Sequence, residues 1–186
     1  MALSDRSCSA IRRYTRVAIA LHWLLAAALL AQVLLGWWML GIPKSPPGVR
    51  ASWFNVHKSI GITIALFVFL RIVWRSTQGV PDADLGPAWQ RAAARTMHRL
   101  LYLCMAVMPL TGFLGSSFTR YPIRYFGRIV PTPHADWPAA KEAMAAIHVT
   151  VACVFVALIA AHVLAAAWHW WQRDGVAARM GIPSLR

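Results

Sequence analysis

Four long apolar stretches, separated by polar and proline-rich segments, run through this chain. Three of them have no charged residue over 20 or more positions, and a helix needs roughly 20 apolar residues to cross a bilayer. The other, Ser59–Leu70, is shorter, and it spans only if the flanking Lys58 and Arg71 reach water or find a partner. We predict transmembrane helices over residues 15–40, 53–74, 98–119 and 143–172.

The composition agrees with a membrane protein. Of the 186 residues, 59% are hydrophobic and 13% are charged, against roughly 45–50% and about 25% in soluble domains. Lys and Arg outnumber Asp and Glu by 19 to 6, which in a soluble protein would suggest a nucleic-acid partner. Here apolar runs separate the basic residues, so we expect them at a membrane surface and expect no nucleic acid. The predicted fold class for residues 1–186 is all-α, an integral membrane four-helix bundle in a single domain.

The distribution of basic residues predicts the orientation in the membrane. The side with both termini and the connection between the second and third helices carries 12 Lys and Arg, and the opposite side carries 7. Basic residues favour the cytoplasmic side, so both termini are expected there. The outer side nevertheless keeps an excess of positive charge.

Four histidines lie within the predicted helices at two depths. With about 1.5 Å of rise per residue, His57 and His148 fall near the outer ends of their helices, and His22 and His162 fall nearer the inner side. His148 and His162 are 14 residues apart, which puts them on one helix face and about 21 Å apart. A histidine in the hydrocarbon region is costly without a partner. We therefore predict two stacked sites, His57/His148 and His22/His162.

Two facing imidazoles, with no thiolate or carboxylate at the same depth, suit the axial positions of a haem iron in a helical bundle. Zinc would need further nitrogen or sulfur ligands, and the sequence has no C-x-x-C-H motif to attach haem covalently. The prediction is two haem b groups. Any one of these histidines is as readily a hydrogen-bonded packing residue, so the prediction depends on all four pairing by depth.

Charged residues near these sites have two interpretations. Arg71, with Arg75 one turn further on, is placed to bind haem propionates at the inner site or to reach lipid phosphates. Lys58 follows His57 on the outer side, where a positive surface could steer a small anion toward the outer haem. The alternative is a set of solvated charges next to anionic lipid. The other basic residues considered for that surface are Arg50, Arg120, Arg124, Arg128 and Lys141.

Several short motifs, taken in order, resemble the bacterial cytochrome b561 family over residues 14–175. The resemblance implies a four-helix dihaem cytochrome b in the bacterial inner (plasma) membrane, with His22, His57, His148 and His162 as the four axial ligands. The motifs are Ala20–Leu24, Val56–Gly61 followed by Arg71, His98–Tyr102 leading to Met108–Gly112, and the pair His148 and His162.

The resemblance also implies an activity. One branch of the family is a superoxide oxidase that passes electrons from superoxide at the outer surface to ubiquinone, so an oxidoreductase of that type is expected. A histidine at the position of His169 meets the quinone in this family, although the surrounding Trp168, Trp170 and Trp171 equally suggest an aromatic belt. His98 is a second candidate at the same interface, since an imidazole can hydrogen-bond a quinone carbonyl and relay its proton.

Two other functions remain open at this point. Related cytochromes b anchor hydrogenases, which implies a subunit that passes electrons between a partner dehydrogenase on the periplasmic face and quinone. A haem-free small membrane transporter or assembly protein is the other. The visible spectrum of the purified protein separates this last function from both redox functions.

Overall fold

A computed structural model describes residues 14–45, 48–78, 87–132 and 136–183. Each of its four long helices is long and apolar enough to cross a membrane, so the predicted all-α transmembrane bundle is confirmed. We refer to the end where the first long helix begins and the fourth ends as the terminal end, and to the opposite end, with the first and third connections, as the loop end. The helices are α1 (Arg16–Leu40), α2 (Val49–Gln78), α3 (Ala88–Ser117) and α4 (Pro138–Gln172).

The helices are longer than the apolar runs that predicted them. α3 begins at Ala88 instead of residue 98, and α4 begins at Pro138 instead of residue 143. Of residues 75–97, which lie between the second and third predicted helices, residues 75–78 and 88–97 are therefore helical instead. The predicted helices stop where the apolar run ends, at the limit of the hydrocarbon layer. The alanine-rich start of α3 extends beyond that limit because alanine favours a helix in water as well. Pro138 is compatible with a helix start because the backbone N–H that proline lacks would have no partner within the first turn.

The bundle consists of two packed helix pairs. α1 packs along α2 and α3 packs along α4, and the two pairs meet mainly through α2 and α3. The buried centre contains Leu25 of α1 with Ile64 and Val68 of α2, and Met105 of α3 packs against them. Large apolar side chains such as Leu34 point outward, as expected where lipid is the solvent.

A short β-hairpin at the loop end was not predicted from the sequence. It consists of β1 (Arg124–Tyr125) and β2 (Arg128–Ile129), paired antiparallel. The two turn residues, Phe126 and Gly127, have φ of 45° and 88°, the left-handed backbone that a two-residue hairpin turn requires. The buried Ser59 of α2 anchors the hairpin, because its Oγ accepts a hydrogen bond of 2.9 Å from the backbone N–H of Phe126.

The segment after α4 closes the terminal end. A 3₁₀ turn over Ala177–Met180 folds back against the start of α1. The indole N–H of Trp23 donates to the carbonyl of Met180 at 3.1 Å, and that of Trp170 donates to the carbonyl of Pro183 at 3.0 Å. This segment therefore ties α1 to α4 on the side where His22 and His162 are found.

Candidate functional site

At the loop end, α2 and α4 bring His57 and His148 together. The two ring centres are 6.4 Å apart and the ring planes are inclined by 74°. Both side chains are half-buried. The predicted outer pair is therefore brought together, with one ring from each helix.

Nearer the terminal end, α1 and α4 bring His22 and His162 together in the same way. Their ring centres are 6.3 Å apart and the planes are inclined by 71°. The two pairs are separated along α4 by 14 residues, which corresponds to about 21 Å of helix rise. α4 thus contributes one histidine to each pair.

The spacing within both pairs matches that of two imidazoles bound to one metal ion. A nitrogen–metal bond is about 2.0–2.1 Å, and ring bonds of about 1.33 Å place each nitrogen about 1.1 Å from its ring centre. Two nitrogens on opposite sides of one ion therefore put the ring centres about 6.3 Å apart, which agrees with the observed 6.3 and 6.4 Å. Two imidazoles are a donor set that fits haem iron. Within the described residues, no group of three or more His, Cys, Asp or Glu side chains could hold a metal ion.

α3 supports the loop-end pair from behind His148. The hydroxyl of Thr111 lies 3.1 Å from Nδ1 of His148, so Nε2 is the ring nitrogen that remains for a ligand. Gly112 lies so close that a Cβ there would be 3.3 Å from Cε1 of the His148 ring. A Cβ at Gly36 of α1 would likewise be 3.3 Å from Cε1 of His57. Glycine at these two positions therefore leaves room for both imidazole rings.

Arg71 contacts the terminal-end pair directly. Its guanidinium donates to the carbonyl of Ala18 at 3.0 Å and to the hydroxyl of Tyr102 at 3.2 Å, and it lies 3.2 Å from Nδ1 of His22. Because a guanidinium has only donors, Nδ1 of His22 accepts in this arrangement. Arg75 is nearby, over the ring of Tyr102 at 5.6 Å.

The two candidate quinone residues lie in different surroundings. The ring of His98 is 5.6 Å from that of His162, so His98 adjoins the terminal-end histidine pair. His169, at the end of α4, is hydrogen-bonded through Nδ1 to the carboxylate of Asp174. The other oxygen of Asp174 accepts from the backbone N–H of Val176 at 3.0 Å, which holds the carboxylate in place.

The basic residues at the loop end divide into engaged and accessible groups. Arg120 forms an ion pair of 2.6 Å with Asp136, and this carboxylate raises the pKa of the guanidinium. Arg50 donates to the carbonyl of Ile42 at 2.8 Å, so it has a structural role in the first connection. Lys58 is half-buried and within electrostatic range of both His57 and Lys141. Two exposed arginines of the hairpin complete this surface, Arg124 and Arg128.

Three polar residues of the site were not predicted from the sequence. Thr111 lies within the Met108–Gly112 motif, but nothing in the motif identifies its histidine partner. Asp174 follows His169 by five residues, and the contact forms where Arg173 ends α4 with a left-handed backbone, φ of 56°. Gln32 interrupts the first apolar run and donates to the backbone carbonyl of His57 at 2.8 Å.

The sequence of this bundle is similar to that of known proteins. The family model for prokaryotic cytochrome b561 matches residues 13–181. Cytochrome b561 homolog 2 of Escherichia coli (strain K12) is 31% identical over 176 residues, which cover 90% of this chain and 90% of that protein. Cytochrome b561 homolog 1 of the same organism is 29% identical over 179 residues, covering 91% of this chain and 97% of that protein. These matches include all four helices.

Proposed function

The chain belongs to the prokaryotic cytochrome b561 family, and on that premise we propose that it moves electrons between superoxide and ubiquinone through two haem b groups. Membership implies a multi-pass bacterial membrane protein that carries haem b and transfers electrons. The proposal adds the haem count, the donor, the acceptor and the ligands. One haem is held by His57 and His148, and the other by His22 and His162.

The observation that carries this proposal is the agreement of two independent spacings. The histidine pairs come from different helices and differ in depth, yet their ring centres are 6.4 and 6.3 Å apart. Edge-to-face ring pairs in general range from about 4.5 to 7 Å, and His98 and His162 are 5.6 Å apart, whereas these two pairs agree with each other and with the spacing of axial ligands. Haem iron supplies one-electron redox chemistry at each level, and α4 keeps the two levels about 21 Å apart.

Electron and proton balance requires two donor molecules for each quinone. Each superoxide gives up one electron and leaves as O₂, and two such electrons with two protons convert ubiquinone to ubiquinol. Lys58, Arg124 and Arg128 attract an anion to the loop end by their charge. Arg120 contributes less because Asp136 neutralises it in their ion pair.

The terminal end supplies the proton. Protonated His169 donates Nδ1–H to Asp174, which leaves Nε2–H to hydrogen-bond a quinone carbonyl and to pass a proton to it. With more Lys and Arg at the terminal end, we place that end in the cytoplasm, where protons for quinol formation are available. The acceptor is then the quinone of the surrounding bilayer.

Arg71 gains a second role once the terminal-end haem is bound. A neutral imidazole that binds iron through Nε2 carries its proton on Nδ1 and can no longer accept there. The guanidinium of Arg71, now 3.2 Å from Nδ1 of His22, must then turn to an anionic partner. A haem propionate is the natural partner because a bidentate pair with a carboxylate suits the guanidinium.

Paired and crossed double variants test the ligand assignment. Haem content per chain, measured as pyridine haemochrome, should fall from two to about one in His57→Ala/His148→Ala, since both substitutions affect one site. The crossed double variant His57→Ala/His162→Ala should bind essentially none. Equal haem loss in the two double variants would contradict the assignment.

The donor is tested by delivering superoxide to the oxidised holoprotein in a stopped-flow or pulse-radiolysis experiment. Rapid reduction of the haem absorption bands, followed by reoxidation on adding ubiquinone, is the expected result. Failure of superoxide to reduce the haems, together with a stoichiometric partner in the purified sample, would favour the anchor-subunit function. A spectrum without a Soret band would exclude both redox functions.

A further inference from the structure

Gln32 is a polar side chain on a membrane helix whose neighbours are residues of the loop-end site. It lies on α1, one turn before Gly36, and its Nε2 donates to the backbone carbonyl of His57 at 2.8 Å. Gly61 of α2 is also near, since a Cβ there would be 3.3 Å from the same Nε2. The amide therefore fits into the α1–α2 interface beside His57.

The orientation of this amide is set by its partner. A backbone carbonyl can only accept, so the side chain must present its NH₂ group to His57, which directs Oε1 elsewhere. Oε1 of Gln32 is buried without a hydrogen-bond partner among the described residues, and so is Nδ1 of His57. A buried polar atom without a partner costs about 1–3 kcal/mol, and the amide that carries the first atom is already bonded to the backbone of the residue that carries the second.

The two unpartnered atoms are chemically complementary when His57 binds a metal. Ligation through Nε2 places the imidazole proton on Nδ1, which turns Nδ1 into a donor, and Oε1 of Gln32 is an acceptor. Histidines that bind metals almost always donate their other N–H to such a partner. His148, across the pair, already has Thr111 at its Nδ1.

We propose that Gln32 is the positioning residue of His57, accepting the Nδ1–H through Oε1 directly or across one water. The bond selects the tautomer whose Nε2 faces His148, and it increases electron donation from His57 to the iron. The proposal rests on the loop-end haem of the proposed function. It adds a residue on α1 to a site whose ligands lie on α2 and α4.

The test compares two substitutions of Gln32 in the purified holoprotein. Gln32→Leu removes donor and acceptor together, whereas Gln32→Glu, protonated when buried, keeps an O–H for the carbonyl of His57 and an oxygen for its Nδ1. In Q32L we expect the loop-end haem alone to change its EPR g values and to shift to a higher midpoint potential. Its transfer to apomyoglobin should become about tenfold faster, since losing such a partner typically costs about 10–100-fold in metal affinity. In Q32E all three properties, the EPR g values, the midpoint potential and the rate of haem transfer, should be those of the wild type.

Thr63→Val provides the matched control. Thr63 is a half-buried polar residue of α2 whose hydroxyl lies 3.1 Å from that of Tyr125 and 3.0 Å from the carbonyl of Ser59. The control should leave both haems unchanged.

The outcomes separate this inference from the proposed function. Unchanged spectra, potential and haem transfer in Q32L would overturn the role of Gln32, and so would a change in Q32L that Q32E does not reverse. A wild-type protein without two bis-histidine EPR signals would instead overturn the proposed function.

Discussion

A methyl group added at Gly112 should disturb the loop-end haem and leave the other haem intact. In Gly112→Ala the new Cβ would be 3.3 Å from Cε1 of His148 and 3.5 Å from its Nδ1. Carbon atoms in good contact are about 3.5–4.0 Å apart, so the ring must shift by a few tenths of an ångström. The shift occurs in a pair whose 6.4 Å spacing already matches axial ligation.

Adding a methyl group to a well-packed protein interior costs about 1–3 kcal/mol. Since about 1.4 kcal/mol is a factor of ten, the loop-end haem should be held about 5- to 140-fold more weakly. Haem content by pyridine haemochrome and transfer to apomyoglobin measure this loss, and EPR identifies the site that is affected.

Gly41→Ala is the control for this substitution. Gly41 ends α1 with an ordinary φ of −79°, and its added Cβ would meet the nearest atom, the carbonyl of Trp38, at 3.5 Å. It should retain both haems as firmly as the wild type does. If Gly112→Ala weakened the terminal-end haem equally, or neither haem, the role of this close approach would be refuted.

Three further substitutions address other parts of the molecule. Ser59→Ala removes the hydroxyl that accepts the N–H of Phe126 in the loop-end hairpin, and the loss of this part-buried hydrogen bond should lower the free energy of unfolding by about 0.5–1.5 kcal/mol. Faster limited trypsin digestion at the hairpin would report this, and an unchanged digestion rate would contradict it. Arg71→Gln removes a positive charge next to His22 and should lower the midpoint potential of one haem by tens of millivolts. Equal shifts of both potentials in a redox titration would argue against it. Asp174→Asn removes the carboxylate bound to His169 and should slow reoxidation of the haems by ubiquinone about tenfold, with reduction by superoxide unchanged. Reoxidation at the wild-type rate would show that this contact is not part of the quinone site.

The hydropathy of the chain was enough to predict four spanning helices and the depth of each histidine. Both follow from physical constants, the thickness of the bilayer and the rise of an α-helix. The pairing of His57 with His148 and of His22 with His162 could be predicted for that reason, and the structure brings both pairs together. The helix ends were less well predicted, as at Ala88, because the limit of the hydrocarbon layer is not the limit of helix formation.

The partners of each side chain depended on how the helices are rotated and packed. A transmembrane helix is apolar on all sides, so its hydropathy does not indicate which face turns inward. The contacts of Arg71 with His22, of Thr111 with His148 and of Gln32 with His57 therefore appear only in the folded chain. The same is true of the excess positive charge at the loop end, where packing places Arg120 in an ion pair with Asp136. Depth in the membrane is a property of one helix at a time, whereas the partners of Arg71, Thr111 and Gln32 come from other helices.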